Sequence, residues 1–141
     1  MSDYDPNYIP IYSQFLLSVK TIVYNDNDEI LLLRRSEKSS RPHGWDFPGG
    51  GVDSGENPSD SVEREAFEET GVTVDNVQIL STQHGHHKEY EYVMLGYAAH
   101  TIDSVITLSW EHEDYKWMSI TKAESVGLPE THLLILDAYK A

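Results

Sequence analysis

Residues 50–72 read GGVDSGENPSDSVEREAFEETGV, and they decide how the rest of the chain is arranged. Asn57 suits a helix N-cap, Pro58 suits the first helical position, and Gly71 suits the left-handed residue that ends a helix. Within that helix Glu65, Glu68 and Glu69 are three and four residues apart, so they point to one side. Val62 and Ala66 fall on the adjoining arc and can face a core, while Glu63 and Phe67 lie further round. A purely stabilising surface helix would not carry this pattern. Like charges at these spacings oppose each other, and glutamates near a helix C-terminus oppose its dipole. Arg64 is the one basic residue present to offset them. Clustered carboxylates are hard oxygen ligands, so a divalent cation such as Mg²⁺ or Mn²⁺ would supply the missing charge. The competing reading is a solvated acidic face.

Gly50, then Glu56, then Arg64-Glu65-Ala66-Phe67-Glu68-Glu69-Thr70-Gly71-Val72 resembles the Nudix box, with every fixed position of the family pattern met. Ala66 is the smallest acceptable residue at its aliphatic position. The lead-in Trp45-Asp46-Phe47-Pro48-Gly49-Gly50-Gly51 is similar to that of the family, and the looser likeness runs from about Phe15 to the last helix. The resemblance implies an α+β Nudix fold, a mixed β-sheet sandwiched between helices in an α/β/α arrangement. It also implies hydrolysis of a nucleoside diphosphate linked to another moiety: a nucleoside triphosphate, a dinucleoside polyphosphate or a nucleotide sugar. By position in the motif, Glu65, Glu68 and Glu69 are the expected metal ligands, with the Gly50 carbonyl as a further one. Arg64 is expected to orient the glutamates and to hold Glu56 across the loop, and Gly71 supports the box.

The expected chemistry follows from charge. A polyanionic pyrophosphate meets a carboxylate cluster only through bridging cations, which neutralise phosphates and activate water. The general base is left among Glu68, Glu69, Glu111 and Glu113. Arg34 and Arg35 end a strand near the box, and alternation lets at most one reach phosphate. Trp45, Phe47, Tyr90 and Tyr92 either stack on a base or pack inside. Tyr90, eighteen residues past Val72, resembles a feature of dinucleoside polyphosphate hydrolases of the family. His84, His86 and His87 read as a polar hairpin tip instead of a metal site.

Two other functions stay open. One is a catalytically weak, nucleotide-sensing binding module of the same fold, although such modules usually lose box carboxylates. The other is an isoprenoid diphosphate isomerase, whose known pattern needs a cysteine that this chain lacks.

The 141 residues can bury the core of a single domain, with 1–13 as an irregular arm packed by Tyr8, Ile11 and Tyr12. The absence of cysteine excludes disulfides and thiolate metal sites. No apolar run reaches the length of a membrane span, and the first residues lack signal-peptide character, so a cytoplasmic protein is expected. The net charge of −14 disfavours nucleic-acid binding. The expected partner is a small nucleotide, bound by a monomer or homodimer without nucleic acid or membrane.

Taken in order, 15–24 and 29–35 read as a strand hairpin across the turn Asn25–Asp28, and 45–48 as a short extended piece. Strands are expected at 72–83, 89–100 and 115–118, with an acidic turn at 111–114. Thr121 and Glu124 have capping-box spacing. Residues 129–140 form an amphipathic helix with Leu133, Leu134, Leu136 and Ala138 toward a core.

Overall fold

The computed structural model describes residues 5–9 and 14–141. In chain order the elements are β1 (Phe15–Tyr24), β2 (Ile30–Arg35), β3 (Trp45–Asp46), β4 (Gly49–Gly51), α1 (Pro58–Thr70), β5 (Asp75–His87), β6 (Tyr90–His100), β7 (His112–Met118), α2 (Ile120–Ala123) and α3 (Glu130–Lys140). β1 runs parallel to β6 from Phe15↔Glu91 to Tyr24↔His100, and β5 lies antiparallel to β6. β2 pairs with β7 and β3.

Alternation along the central strands builds two cores. Val19, Val23, Leu31, Leu33, Tyr97 and Ala99 share one face with Val62 and Ala66 of α1. Ile22, Ile30 and Leu32 share the other with Ile135 and Leu136 of α3. The mixed sheet between two helical layers is the α+β fold expected. Among the described residues no helix is long and apolar enough to cross a membrane.

Several local expectations change. The β1–β2 hairpin is splayed: the two strands meet at Tyr24↔Ile30, and β4 takes the next part of that edge through Ser18↔Gly51, Val19↔Gly50 and Lys20↔Gly49. Glycine permits this approach, since a Cβ on Gly49 would stand 2.0 Å from the Val19 carbonyl oxygen. His84 to His87 continue β5, and the turn is only Lys88–Glu89, with Lys88 at φ 52°. The acidic turn is largely strand, because β7 begins at His112 to pair with Arg35. Ser119, not Thr121, caps α2 by accepting from the Lys122 N–H at 3.1 Å. In α3 the buried residues are His132, Ile135 and Leu136, while Leu134 is 47% exposed. Tyr8 is exposed and packs no arm; Ile11 and Tyr12 lie outside the described residues.

Candidate active site

Helix α1 starts after Asn57, which has an extended backbone (φ −74°, ψ 140°) but no side-chain capping bond. It stops at Gly71, whose φ of 76° lets its N–H reach the Phe67 carbonyl at 2.9 Å. The loop before the helix is tied to it by Arg64. Its Nε donates to Glu56 Oε2 at 2.8 Å, and its Nη2 to Glu56 Oε1 at 3.0 Å and to the Gly51 carbonyl at 2.9 Å. Its Nη1 donates to Glu65 at 3.1 Å and Glu68 at 3.2 Å. The Arg64 hydrogen bonds, helped by the Ser61 hydroxyl, hold the Glu56 carboxyl down at about 2. One guanidinium therefore joins the glycine strand, the loop and two glutamates.

Glu65 lies against Gly50 so closely that a Cβ there would sit 2.5 Å from its Oε1. Glu69 is 3% exposed. Its Oε1 accepts the Gly49 N–H at 3.3 Å, and its Oε2 has no hydrogen-bond partner. Burial first, then the nearness of Glu65 and Glu111, drives the Glu69 carboxyl well above the ordinary carboxylate range, with Lys20 only partly opposing. His112 Nδ1 stands 3.7 Å from Glu69 Oε2 and is also unpartnered. Burial lowers the His112 pKa to about 4, so this imidazole is neutral at pH 7 and cannot neutralise Glu69.

These features fit a hard divalent cation. A buried carboxylate oxygen without a partner is costly, and a cation at that oxygen would remove both the missing bond and the penalty on charge. Among the described residues no three carboxylate or imidazole groups already close round one point, and Glu68, which is exposed, is turned to Arg64. The residues placed to hold such a cation are Glu65, Glu69, Glu68 once released from Arg64, and the carbonyl of Gly50.

Glu69 also lines a cavity of about 180 Å³. Lys20, Arg35 and Lys38 bring positive charge to it, Ser36 and Ser39 bring hydroxyls, and Glu111 and His112 complete one side. Beneath it Asp46, 1% exposed, accepts from Lys20 Nζ at 3.0 Å, from Arg35 Nη1 at 2.8 Å and from His132 Nε2. Its pKa is lowered: Lys20 and His132 outweigh burial, and the group stays ionised. His132 stacks on Phe47, 5.4 Å between centroids, so Phe47 is core and takes no base.

On the far side of β4 is a larger groove of about 650 Å³, walled by Phe15, Leu16, Tyr90, Tyr92 and Met94 and reached from Gly51. Tyr90 therefore stands near the box but across it from Glu69. His86 and His87 also line this groove, and His84 pairs with Glu91 at 3.0 Å.

Two expected substrate residues lie elsewhere. Arg34 and Trp45 are register partners on β2 and β3, so they share a patch where Arg34 sits over the Trp45 ring at 5.9 Å. Arg34 is also paired with Glu113 at 3.1 Å, and neither Arg34 nor Trp45 lines the cavity or the groove. Arg35 does line the cavity, on the face of β2 opposite Arg34, as alternation requires. Sequence reasoning missed Lys20, Asp46, His112 and His132. Lys20 had a signal, a lone cation inside the apolar strand FLLSVKTIVY, and Asp46 had a weaker one inside WDFP.

A family model described as NUDIX domain matches residues 14–138. An RNA pyrophosphohydrolase from Tolumonas auensis is 41% identical over 68 residues, which are 48% of this chain and 37% of that protein. The chain thus spans little more than a third of the length of the curated relatives it matches. A MutT protein from Methanosarcina mazei is structurally similar, with TM-score 0.78 and 28% identity over 93% of this chain and 96% of that one. The NUDIX domain of Shewanella oneidensis NrtR, solved with ADP ribose, shares the fold at TM-score 0.76 and 23% identity, covering 98% of this chain and 92% of that one.

Proposed function

Because the chain belongs to the NUDIX family, we propose that it is a pyrophosphohydrolase that uses Mg²⁺ or Mn²⁺ to cleave the pyrophosphate linkage of a nucleoside diphosphate derivative. The observation that carries this reading is Glu69: a buried carboxylate with an unpartnered oxygen, in the lining of a cavity that also holds Lys20 and Arg35. Bound there, the cation would neutralise phosphate charge, polarise a phosphoryl oxygen and acidify water. Glu65, Glu68, Glu69 and the Gly50 carbonyl would hold it. Arg64 keeps Glu65 and the glycine strand in register. Arg35 and Lys20 bind phosphate oxygens by charge-assisted hydrogen bonds. Glu111, exposed at the cavity, would take the proton of the attacking water, since Glu69 would be engaged in holding the cation. The nucleoside lies toward Phe15 and Tyr90 in the groove beyond Gly51.

A cytoplasmic setting and a free nucleotide substrate belong to the same reading, and the net charge of −14 supports the absence of a nucleic-acid partner. Incubation with Mg²⁺ or Mn²⁺ and a panel of nucleotides, with products separated by chromatography, tests it. Turnover that needs the cation is expected. Full turnover in chelator, or tight binding without turnover on any member, would overturn the hydrolase reading.

A further inference from the structure

His132 is a buried histidine with no part in the cation chemistry described above. It stands in the first turn of α3 and is 5% exposed. Its ring stacks on Phe47, which accounts for its place in the core but not for its two nitrogens. Both are engaged: Nε2 meets Asp46 Oδ1, and Nδ1 meets the Thr131 hydroxyl at 3.1 Å. Chemistry fixes who donates in this row. The ionised Asp46 carboxylate can only accept, so Nε2 carries the hydrogen. Burial lowers the His132 pKa, so the ring is neutral at pH 7 and Nδ1 is bare. Thr131 Oγ1–H therefore donates to Nδ1, and the row runs one way, from Thr131 through His132 to Asp46.

At its end stand two cations of the cavity. Asp46 gives its second oxygen, Oδ2, to both Lys20 Nζ at 3.0 Å and Arg35 Nη1 at 2.8 Å. The torsion that turns a carboxylate is soft, so one oxygen is fixed in place only when the other is held as well. With Oδ1 held from α3, Oδ2 has one position, and Lys20 and Arg35 take theirs from it. Each cation keeps donors for other use. Among the described residues Lys20 Nζ has besides Asp46 only the Phe47 carbonyl, at 3.4 Å, and the Arg35 guanidinium has only Ser39, through Nε. An ammonium carries three N–H groups and a guanidinium five. The cavity itself is mixed in charge, since Glu69 and Glu111 line it too, and Asp46 offsets one of the two charges it pairs with. Where Lys20 and Arg35 point therefore matters more than how many cations there are.

We propose that His132 is a positioning residue: held by Thr131, it fixes Asp46 and thereby the direction in which Lys20 and Arg35 offer their remaining N–H groups to a phosphate of the substrate. This role rests on the reading of those two side chains as phosphate ligands given above. It extends the site to α3, whose first turn then controls groups carried by β1 and β2. A ring that only fills the core is replaceable by phenylalanine; a ring that orients Asp46 is not.

The probe is a nucleoside diphosphate with a methylene bridge between its phosphorus atoms, which binds without being hydrolysed. It is titrated calorimetrically into the Mg²⁺-equilibrated protein and its variants, and KM and kcat are measured in parallel on the best substrate found. His132→Phe keeps the stacking ring and removes the N–H donor. Thr131→Val keeps the shape of a half-buried side chain and removes only the hydroxyl, which Thr131→Ser restores. Binding should weaken by at least about fivefold in His132→Phe and about twofold in Thr131→Val, with Thr131→Ser as wild type. KM should rise in step while kcat changes little, as for contacts made equally before and during the reaction. A purely structural role would instead reduce the active fraction, lowering the binding stoichiometry and kcat at unchanged Kd and KM. Nitrogen NMR shifts of the wild-type ring should show the hydrogen on Nε2 and a bare Nδ1. Wild-type affinity in folded His132→Phe, or the opposite tautomer, overturns the proposal. Should His132→Phe fail to fold, wild-type affinity in Thr131→Val overturns it. Arg35→Met separates the two readings. Weakened binding there, beside wild-type binding in both relay variants, sinks the proposal alone. Unchanged binding in Arg35→Met, or no binding of the probe by wild type, sinks the phosphate-ligand reading and the proposal with it.

Discussion

Arg64 and Glu56 face each other through two parallel hydrogen bonds, 2.8 Å from Nε and 3.0 Å from Nη2, across the loop that joins the glycine strand to helix α1. The same guanidinium holds the Gly51 carbonyl at 2.9 Å and Glu65 at 3.1 Å. The pair therefore does more than staple a loop: it sets where Gly50 and Glu65 lie relative to each other.

Replacing Arg64 with Lys keeps the charge and removes the planar fork. The expected result is a loss of about 10- to 100-fold in kcat/KM with the fold retained, the scale seen when a residue orienting a metal ligand is lost. Steady-state kinetics with circular dichroism on the same preparation checks it. Wild-type kinetics in Arg64→Lys would show that Arg64 orients nothing of consequence.

Asp46 is the buried anion on which Lys20, Arg35 and His132 converge. Asp46→Ala removes the buried countercharge of Lys20 and Arg35 and should cost about 3 to 5 kcal/mol in urea unfolding. Glu124, paired with Lys140 at the surface, is the contrast: Glu124→Ala should cost below about 1 kcal/mol. Similar losses for the two variants would mean that the Asp46 cluster is not a linchpin between β3 and α3.

The box was legible in the sequence because its chemistry is local. Helix spacing alone places Glu65 and Glu69 near each other, and Asn57-Pro58 and Gly71 mark where the helix starts and stops. The cluster under the cavity was not legible in that way. Asp46 and His132 are 86 positions apart, and only packing of α3 on the sheet brings them together. Which of Arg34 and Arg35 meets the cavity was open for a related reason. Alternation separates their faces, but which face turns toward Glu69 depends on how β2 sits in the sheet, and it is Arg35 that lines the cavity. The histidines of β5 looked like a turn because polar residues and a glycine are common there. In the sheet, Gly85 instead makes room for Tyr92, whose ring carbon would lie 2.0 Å from an added Cβ.

His100 joins Asp26 at 2.8 Å and Asp75 at 2.9 Å, linking the β1–β2 turn to the start of β5. Hydrogen bonds to Asp26 and then Asp75 raise its pKa above the ordinary 6.5. A group with a raised folded pKa stabilises fully below its unfolded value and loses that contribution as pH rises through the folded one. The Tm advantage of wild type over His100→Gln should therefore be largest below about pH 6 and shrink as pH is raised above neutrality. A difference that is constant or grows with pH contradicts this linkage.

The central claim is that Glu69 is kept in a buried, unpartnered state in order to hold a cation, and Glu69→Gln tests it most directly. Gln retains an acceptor for the Gly49 N–H and removes the charge. The variant should lose at least about two orders of magnitude in kcat on the best substrate found. In chelator its thermal stability should equal or exceed that of wild type, because burial disfavours the ionised carboxylate. Turnover within a few-fold of wild type, measured on that same preparation, would contradict the account and leave Glu69 as no more than a partner for Gly49.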